Sequence, residues 1–246
     1  MKVPQSVSSA MAPQLTPPEM DDSPVGGDEA DIPRAEDDTK GQESQGTPRC
    51  WPPAAARGVF EVSSCLLLGE ARGVEAGLLA ALGVTCVVTA AAELPPLPLG
   101  PPVEDSVRLA LKDSPGDCIE SLFDAVADKV DAVRAKGGRT LVHCVAGVSR
   151  SAALCLAYLM KYERMTLRKA FVYLRSRRPA VRPNTGFFRQ LISYERRLFG
   201  RSSVDMVRIP TGDNSHLIPD VYEPDYRRTI LFEQRYGRQL TSGRRC

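Results

Sequence analysis

At 246 residues, 43% of them hydrophobic and 25% charged, the chain has room for one generous domain or a modest domain with tails. Its seven cysteines are an odd number, scattered and without a CxxC pair, so neither a zinc site nor a disulfide framework is expected. The N-terminus lacks an apolar signal core and is too acidic for a transit peptide, and no apolar run approaches the ~18 residues of a membrane span; a reducing cytoplasmic setting, and also a nuclear one, is the expectation.

The net charge of +2 hides an uneven distribution. Residues 1–50 carry four Lys/Arg against ten Asp/Glu, with seven prolines and no aromatic residue. They cannot bury enough apolar surface to offset chain entropy and read as a disordered acidic leader. Residues 51–200 hold 20 basic and 14 acidic residues and nearly all the periodic apolar segments, which makes them the domain; 201–246 read as a partly ordered tail. The basic excess is concentrated in 161–201, with twelve Lys/Arg and two Glu. No nucleic-acid motif accompanies it, so no nucleic-acid partner is expected. Solvated helix faces and a surface for acidic or phosphorylated partners both remain open.

In chain order, VFEVSSCLLLG (59–69) alternates and then turns continuously apolar, which fits a strand entering a buried sheet. VEAGLLAALG (74–83) has helical spacing and stops at Gly83. TCVVTA (85–90) is a short strand, ELPPLPLGPP (93–102) a proline-dense loop, and SVRLAL (106–111) a further strand. DCIESLFDAVADKVDAVRAK (117–136) is an amphipathic helix. RTLVHC (139–144) is a short apolar strand, and SAALCLAYLMKY (151–162), apolar almost all round, is a central buried helix. TLRKAFVYLRSRR (166–178) and NTGFFRQLISYERRLFG (184–200) are two more helices, the second capped by Asn184. Strands alternating with helices indicate an α/β sheet with helices packed on its faces.

The chemistry concentrates in HCVAGVSRS (143–151). A strand ending at Cys144 and a helix starting near Arg150 force a tight loop between them. Its backbone N–H groups, with the first unpaired N–H groups of the helix, converge on one concavity. Gly147 relaxes the backbone restriction such a loop needs. An anion of phosphate size fits there, favoured by the helix dipole and by a guanidinium able to fork onto two oxygens, which Arg150 can supply. A cysteine in that cradle is held where negative charge is favoured, and the thiolate is the nucleophile. Attack on phosphorus would give a cysteinyl-phosphate, later hydrolysed, with no metal or other cofactor required. Of the seven cysteines only Cys144 has an arginine six residues on.

Adjacent strand residues point to opposite faces, so His143 is poorly placed to take the Cys144 proton. It is expected to be buried and hydrogen-bonded, holding the loop's shape. An acid must also protonate the departing oxygen, and LKDSPGDC offers Asp113 and Asp117. Asp117 is better explained as a cap or first-turn acid of the following helix, which leaves Asp113.

HCVAGVSRSA, with Asp113 upstream and RPNTGF (182–187) downstream, resembles the HCxxGxxR[ST] signature of the cysteine-based protein tyrosine phosphatase superfamily. The stretch from about 57 to 200 resembles the small atypical dual-specificity phosphatases; YLMKY, RRPAVRPNTGFFRQL, YERRLFG and, in the tail, LIPDVYE (217–223) are all similar to that subgroup. The resemblance implies a central five-stranded mixed sheet flanked by helices, with Val145, Ala146, Gly147, Val148, Ser149 and Arg150 binding phosphate. It implies Cys144 as nucleophile, Asp113 as general acid and then base, Ser151 assisting breakdown of the phosphoenzyme, and Asn184 bracing the loop. It implies phosphorylated proteins as substrates, on tyrosine as well as serine and threonine, MAP kinases among them. Two departures stand out: LALKDSPGD keeps only the acid and the proline two residues on, and Thr89 stands where relatives often have Asn.

Other readings are a phosphoinositide or RNA 5′-phosphatase and a non-catalytic phosphoprotein-binding module. Lysines in the loop would suit the lipid substrate, and Val145, Ala146 and Val148 are neutral. A non-catalytic module would be expected to lose Cys144, Arg150 or Asp113, and all three are present.

Overall fold

A strand buried on both faces needs helices on each, and the alternation of side chains along it decides which helix each residue meets. In chain order the elements are β1 (Val59–Glu61), β2 (Leu66–Glu70), α1 (Ala76–Ala81), β3 (Val84–Thr89), β4 (Asp105–Arg108), α2 (Glu120–Ala135), β5 (Arg139–Cys144), α3 (Arg150–Lys161), α4 (Leu167–Arg177), α5 (Thr185–Phe199), β6 (Met206–Thr211) and β7 (Asn214–Pro219). This computed structural model describes residues 57–96, 98–211 and 214–229, all within the unit Arg49–Cys246. The leader expected over 1–50 and residues 230–246 of the tail lie outside the described residues.

The main sheet has the order β1-β2-β5-β3-β4. Only the β1–β2 pair is antiparallel; β2–β5, β5–β3 and β3–β4 are parallel. The five-stranded mixed sheet flanked by helices is therefore the observed architecture. Along β5, Val142 and Cys144 face the large apolar cluster built with α2, α3, α4 and α5. Leu141 faces the smaller one, closed by Leu78 and Leu79 of α1. From Arg150 to Met160 every residue of α3 is buried, because this helix lies on the sheet with α2, α4 and α5 around it. Such a position explains a helix with no polar face.

Two expectations need correction. The stretch 59–69 is not one strand but two, β1 and β2, folded back on each other. Val62 N–H and Ser63 N–H both donate to Leu66 O (2.9 and 3.0 Å), closing a turn at the serines. Asp117 is not a cap or first-turn acid of α2. The helix begins at Glu120, and the N–H groups of Ile119 and Glu120 donate instead to Gln190 Oε1 of α5 (2.8 and 2.9 Å). Asp117 Oδ2 accepts from the Lys112 amide, so it folds the loop that precedes the helix.

Past the expected domain end, β6 and β7 form an antiparallel hairpin that brings Ile209 and Ile218 into the large cluster, and Tyr222 follows them. The Tyr222 hydroxyl donates to Pro183 O (2.7 Å). Phe171, Phe188 and Tyr222 meet ring to ring with centroids 5.2–5.5 Å apart. These are ordinary tilted and edge contacts of a packed aromatic core.

Candidate active site

Five residues, Val145–Ser149, join the C-terminal end of β5 to the first turn of α3. So short a connection turns tightly, and Gly147 takes φ +63°. A Cβ there would also lie 2.7 Å from Gly69 O, so both backbone conformation and space require glycine. The Cys144 thiol is 1% exposed and receives two donors, the Gly147 N–H and the Ser151 hydroxyl, each at 3.2 Å from Sγ.

Arg150, the first residue of α3, is 4% exposed. Its guanidinium is gripped by Glu93, with Nη1 to Oε2 at 2.8 Å and Nη2 to Oε1 at 2.7 Å, and Nη1 also donates to Leu111 O (3.1 Å). Its Nε is buried without a hydrogen-bond partner, with Asp113 Oδ2 3.8 Å away. Burial opposes the charge, but Glu93, the Cys144 sulfur and Asp113 more than offset it and hold the pKa above the usual arginine range. A buried charged donor left over beside a thiol suits an anion there.

Asp113 lies on the loop after β4, with its side chain 38% exposed. Its Oδ1 accepts from Ser149 Oγ (2.7 Å) and from Asn184 Nδ2 (2.8 Å). Ser149 Oγ in turn accepts from the Asn184 amide (3.1 Å). Asn184 Oδ1 caps α5 by accepting from Phe187 N–H (2.9 Å). The structure thus brings Cys144, Arg150, Ser151, Ser149, Asn184 and Asp113 to one place at the C-terminal edge of the parallel strands, where ligands of α/β sheets collect.

His143 points to the other face of β5. It is fully buried, its Nε2 pairs with Thr89 Oγ1 (2.8 Å), and its carbonyl accepts from Ala90 N–H. Burial drives its pKa down to about 4, with the adjacent Cys144 main chain pulling the other way and the Arg108 charge lowering it further. The ring is neutral at pH 7. Thr89 is thus its partner.

The model for the dual specificity phosphatase catalytic domain matches residues 66–197. The chain belongs to the dual-specificity phosphatase family. Dual specificity protein phosphatase 14 of Bos taurus is 47% identical over 178 residues, which cover 71% of this chain and 86% of that protein; the Homo sapiens counterpart matches to the same extent. Among solved structures, human DUSP28 is 34% identical with a TM-score of 0.55, covering 60% of this chain and 97% of that one. A mouse putative dual specificity phosphatase complexed with zinc tungstate is 34% identical with a TM-score of 0.56, covering 64% and 96%.

Two residues of this phosphatase's site escaped sequence reasoning. Glu93 sits in the proline-dense loop, and the one signal available for it was its position just past the C-terminal end of β3. Arg178 belongs to the basic run 161–201, yet it is buried against the 145–149 loop. Of the twelve cations in the run, five others meet carboxylates outside it: Lys161 and Arg197 meet Asp124, Arg168 meets Asp220, and Arg175 and Arg182 meet Asp225. Among the described residues no group of three or more His, Cys, Asp or Glu is placed to hold a metal ion, and no helix is long and apolar enough to cross a membrane.

Proposed function

We propose that this dual-specificity phosphatase works through Cys144, held in a phosphate cradle by residues 145–150. The observation that carries it is the convergence of Gly147 N–H and Ser151 O–H on Cys144 Sγ beside the buried guanidinium of Arg150. A phosphate in the cradle is held by the loop N–H groups and by Arg150, whose Glu93 grip fixes the plane of the fork. The sulfur attacks phosphorus; the S–P bond forms as the P–O bond to the substrate side chain breaks. Asp113 gives its proton to the departing oxygen. With Oδ1 already accepting two hydrogen bonds, Oδ2 is the oxygen that carries that proton.

In the second step water attacks phosphorus, Asp113 takes the water's proton, and the S–P bond breaks to release inorganic phosphate. The Ser151 hydroxyl steadies the sulfur as negative charge returns to it. His143 takes no proton in either step and holds the end of β5 through Thr89.

We take the substrates to be proteins phosphorylated on tyrosine and on serine or threonine, MAP kinases among them; family membership supports this, as do the neutral Val145, Ala146 and Val148, which offer no charge to extra phosphates of a phosphoinositide. We place the enzyme in the cytoplasm and nucleus, since the mechanism needs a reduced thiol and the five described cysteines are unpaired. The test is to assay the full chain on an aryl phosphate, a phosphopeptide panel, a 5′-phosphorylated RNA and soluble phosphoinositides, and to capture phosphoproteins from lysate with Cys144→Ser. Hydrolysis of phosphopeptides that disappears in Cys144→Ser supports the reading. Preferential hydrolysis of the lipid or RNA substrate would overturn it.

A further inference from the structure

A loop that binds phosphate with its N–H groups must turn its carbonyls the other way. In a trans peptide the carbonyl of one residue and the N–H of the next lie on opposite sides of one plane. Whatever holds a carbonyl outward therefore aims the following N–H inward. A buried carbonyl also needs a donor of its own.

Four consecutive loop carbonyls have such donors. Val145 O accepts from Ala71 N–H (3.0 Å) and Val148 O from Arg182 N–H (2.9 Å). The two between them share one side chain: Arg178 Nη2 donates to Ala146 O (2.8 Å) and Arg178 Nε to Gly147 O (3.0 Å). The peptide planes so fixed aim the N–H groups of Gly147 and Val148 into the cradle. The first of these is the one found on Cys144 Sγ at 3.2 Å.

Arg178 is itself held. It is 9% exposed, stacks over Phe60 with its guanidinium carbon 4.4 Å from the ring centroid, and meets Glu70 Oε2 at 3.4 Å. Its own amide closes α4 on Leu174 O (2.9 Å). A planar guanidinium can meet two adjacent carbonyls at fixed spacing; an ammonium cannot.

We propose that Arg178 is a positioning residue for the phosphate loop: by holding the Ala146 and Gly147 carbonyls it orients the Gly147 and Val148 N–H groups that bind the transferred phosphoryl group. It touches neither substrate nor the reacting atoms. The inference rests on the reading of 145–150 as the phosphate cradle.

Because tungstate is a stable oxyanion of phosphate charge and shape, its inhibition constant reads cradle geometry apart from chemistry. The full chain and its Arg178→Ala, Arg178→Lys and Arg177→Ala variants are compared for tungstate inhibition, for kcat and KM on an aryl phosphate, and for melting temperature. Arg178→Ala is expected to weaken tungstate binding and kcat/KM by about 10- to 100-fold in enzyme still folded at the assay temperature. Arg178→Lys, which keeps the charge and reaches one carbonyl, is expected to fall between it and the wild type. Arg177→Ala, whose side chain lies against Tyr173, is expected to stay within about twofold, which rules out a general effect of charge on α4. Unchanged tungstate affinity in either folded Arg178 variant, with only the melting temperature lowered, would overturn the proposal. Where Arg178→Ala does not fold, Arg178→Lys decides. A wild type that tungstate does not inhibit competitively would instead sink the cradle reading itself.

Discussion

The two loops that meet at Cys144 are built differently. In the loop 145–149 every carbonyl from Val145 to Val148 has a donor, and the residues at its two ends, Cys144 and Arg150, are buried. The loop bearing Asp113 is exposed from Lys112 to Gly116. Its carboxylate is tied down by side chains alone, Ser149 and Asn184. Main-chain fixation suits a cradle that must be ready before the phosphate arrives, since no reorganisation is then needed during reaction. Side-chain tethers suit the role proposed for Asp113, to present and reclaim a proton and let product leave.

The largest test of that contrast is Cys144→Ser, which keeps the cradle and removes the proposed nucleophile. We expect kcat on any phosphoester to fall by more than about 10⁴-fold while tungstate still binds. Residual turnover near the wild-type rate would refute the sulfur's role. Next, Asp113→Ala is expected to cost about 10²- to 10³-fold on alkyl phosphoesters and far less on aryl phosphates with good leaving groups. Equal losses on both would move Asp113 from proton transfer to loop support.

His143 sharpens the rigid side of the comparison through stability. Burial depresses its folded-state pKa from 6.5 to about 4, so as pH falls the unfolded chain takes up a proton before the folded one does. The stabilisation is complete above about pH 6.5 and is lost as pH falls toward 4. A decline of about 3 kcal/mol over that window is expected in denaturant titrations. His143→Gln should lack it; an identical slope in that variant would place the effect elsewhere.

Smallest is Glu93→Gln. It keeps the shape of the Arg150 clamp and removes its charge, and kcat/KM should fall about tenfold, with KM carrying most of the change. No change would mean that Leu111 O and the helix alone orient the guanidinium.

The residues legible in the sequence share a local cause. Cys144 and Arg150 face one cradle because a strand, five residues and a helix leave no other path. Asn184 caps α5 through an amide three residues on. Glu93 lies 57 positions from Arg150, Gln190 lies 70 from the helix start it caps, and Arg178 lies 31 from Gly147. None of these pairings leaves a trace in spacing, because nothing local distinguishes the partner from its neighbours. The serine turn between β1 and β2 was hidden in a run apolar at both ends.

Alone, then, the sequence determined the α/β class and the family and singled out Cys144 and Arg150 as the proposed nucleophile and phosphate-binding arginine, since each follows from short-range backbone geometry or from a motif. The tertiary structure decided what holds them: the Glu93 grip, the Arg178 clamp, the Ser149–Asn184 tether of Asp113 and the neutral state of His143. Those depend on which distant groups the packed sheet and helices bring within hydrogen-bonding distance, and on how much water they exclude.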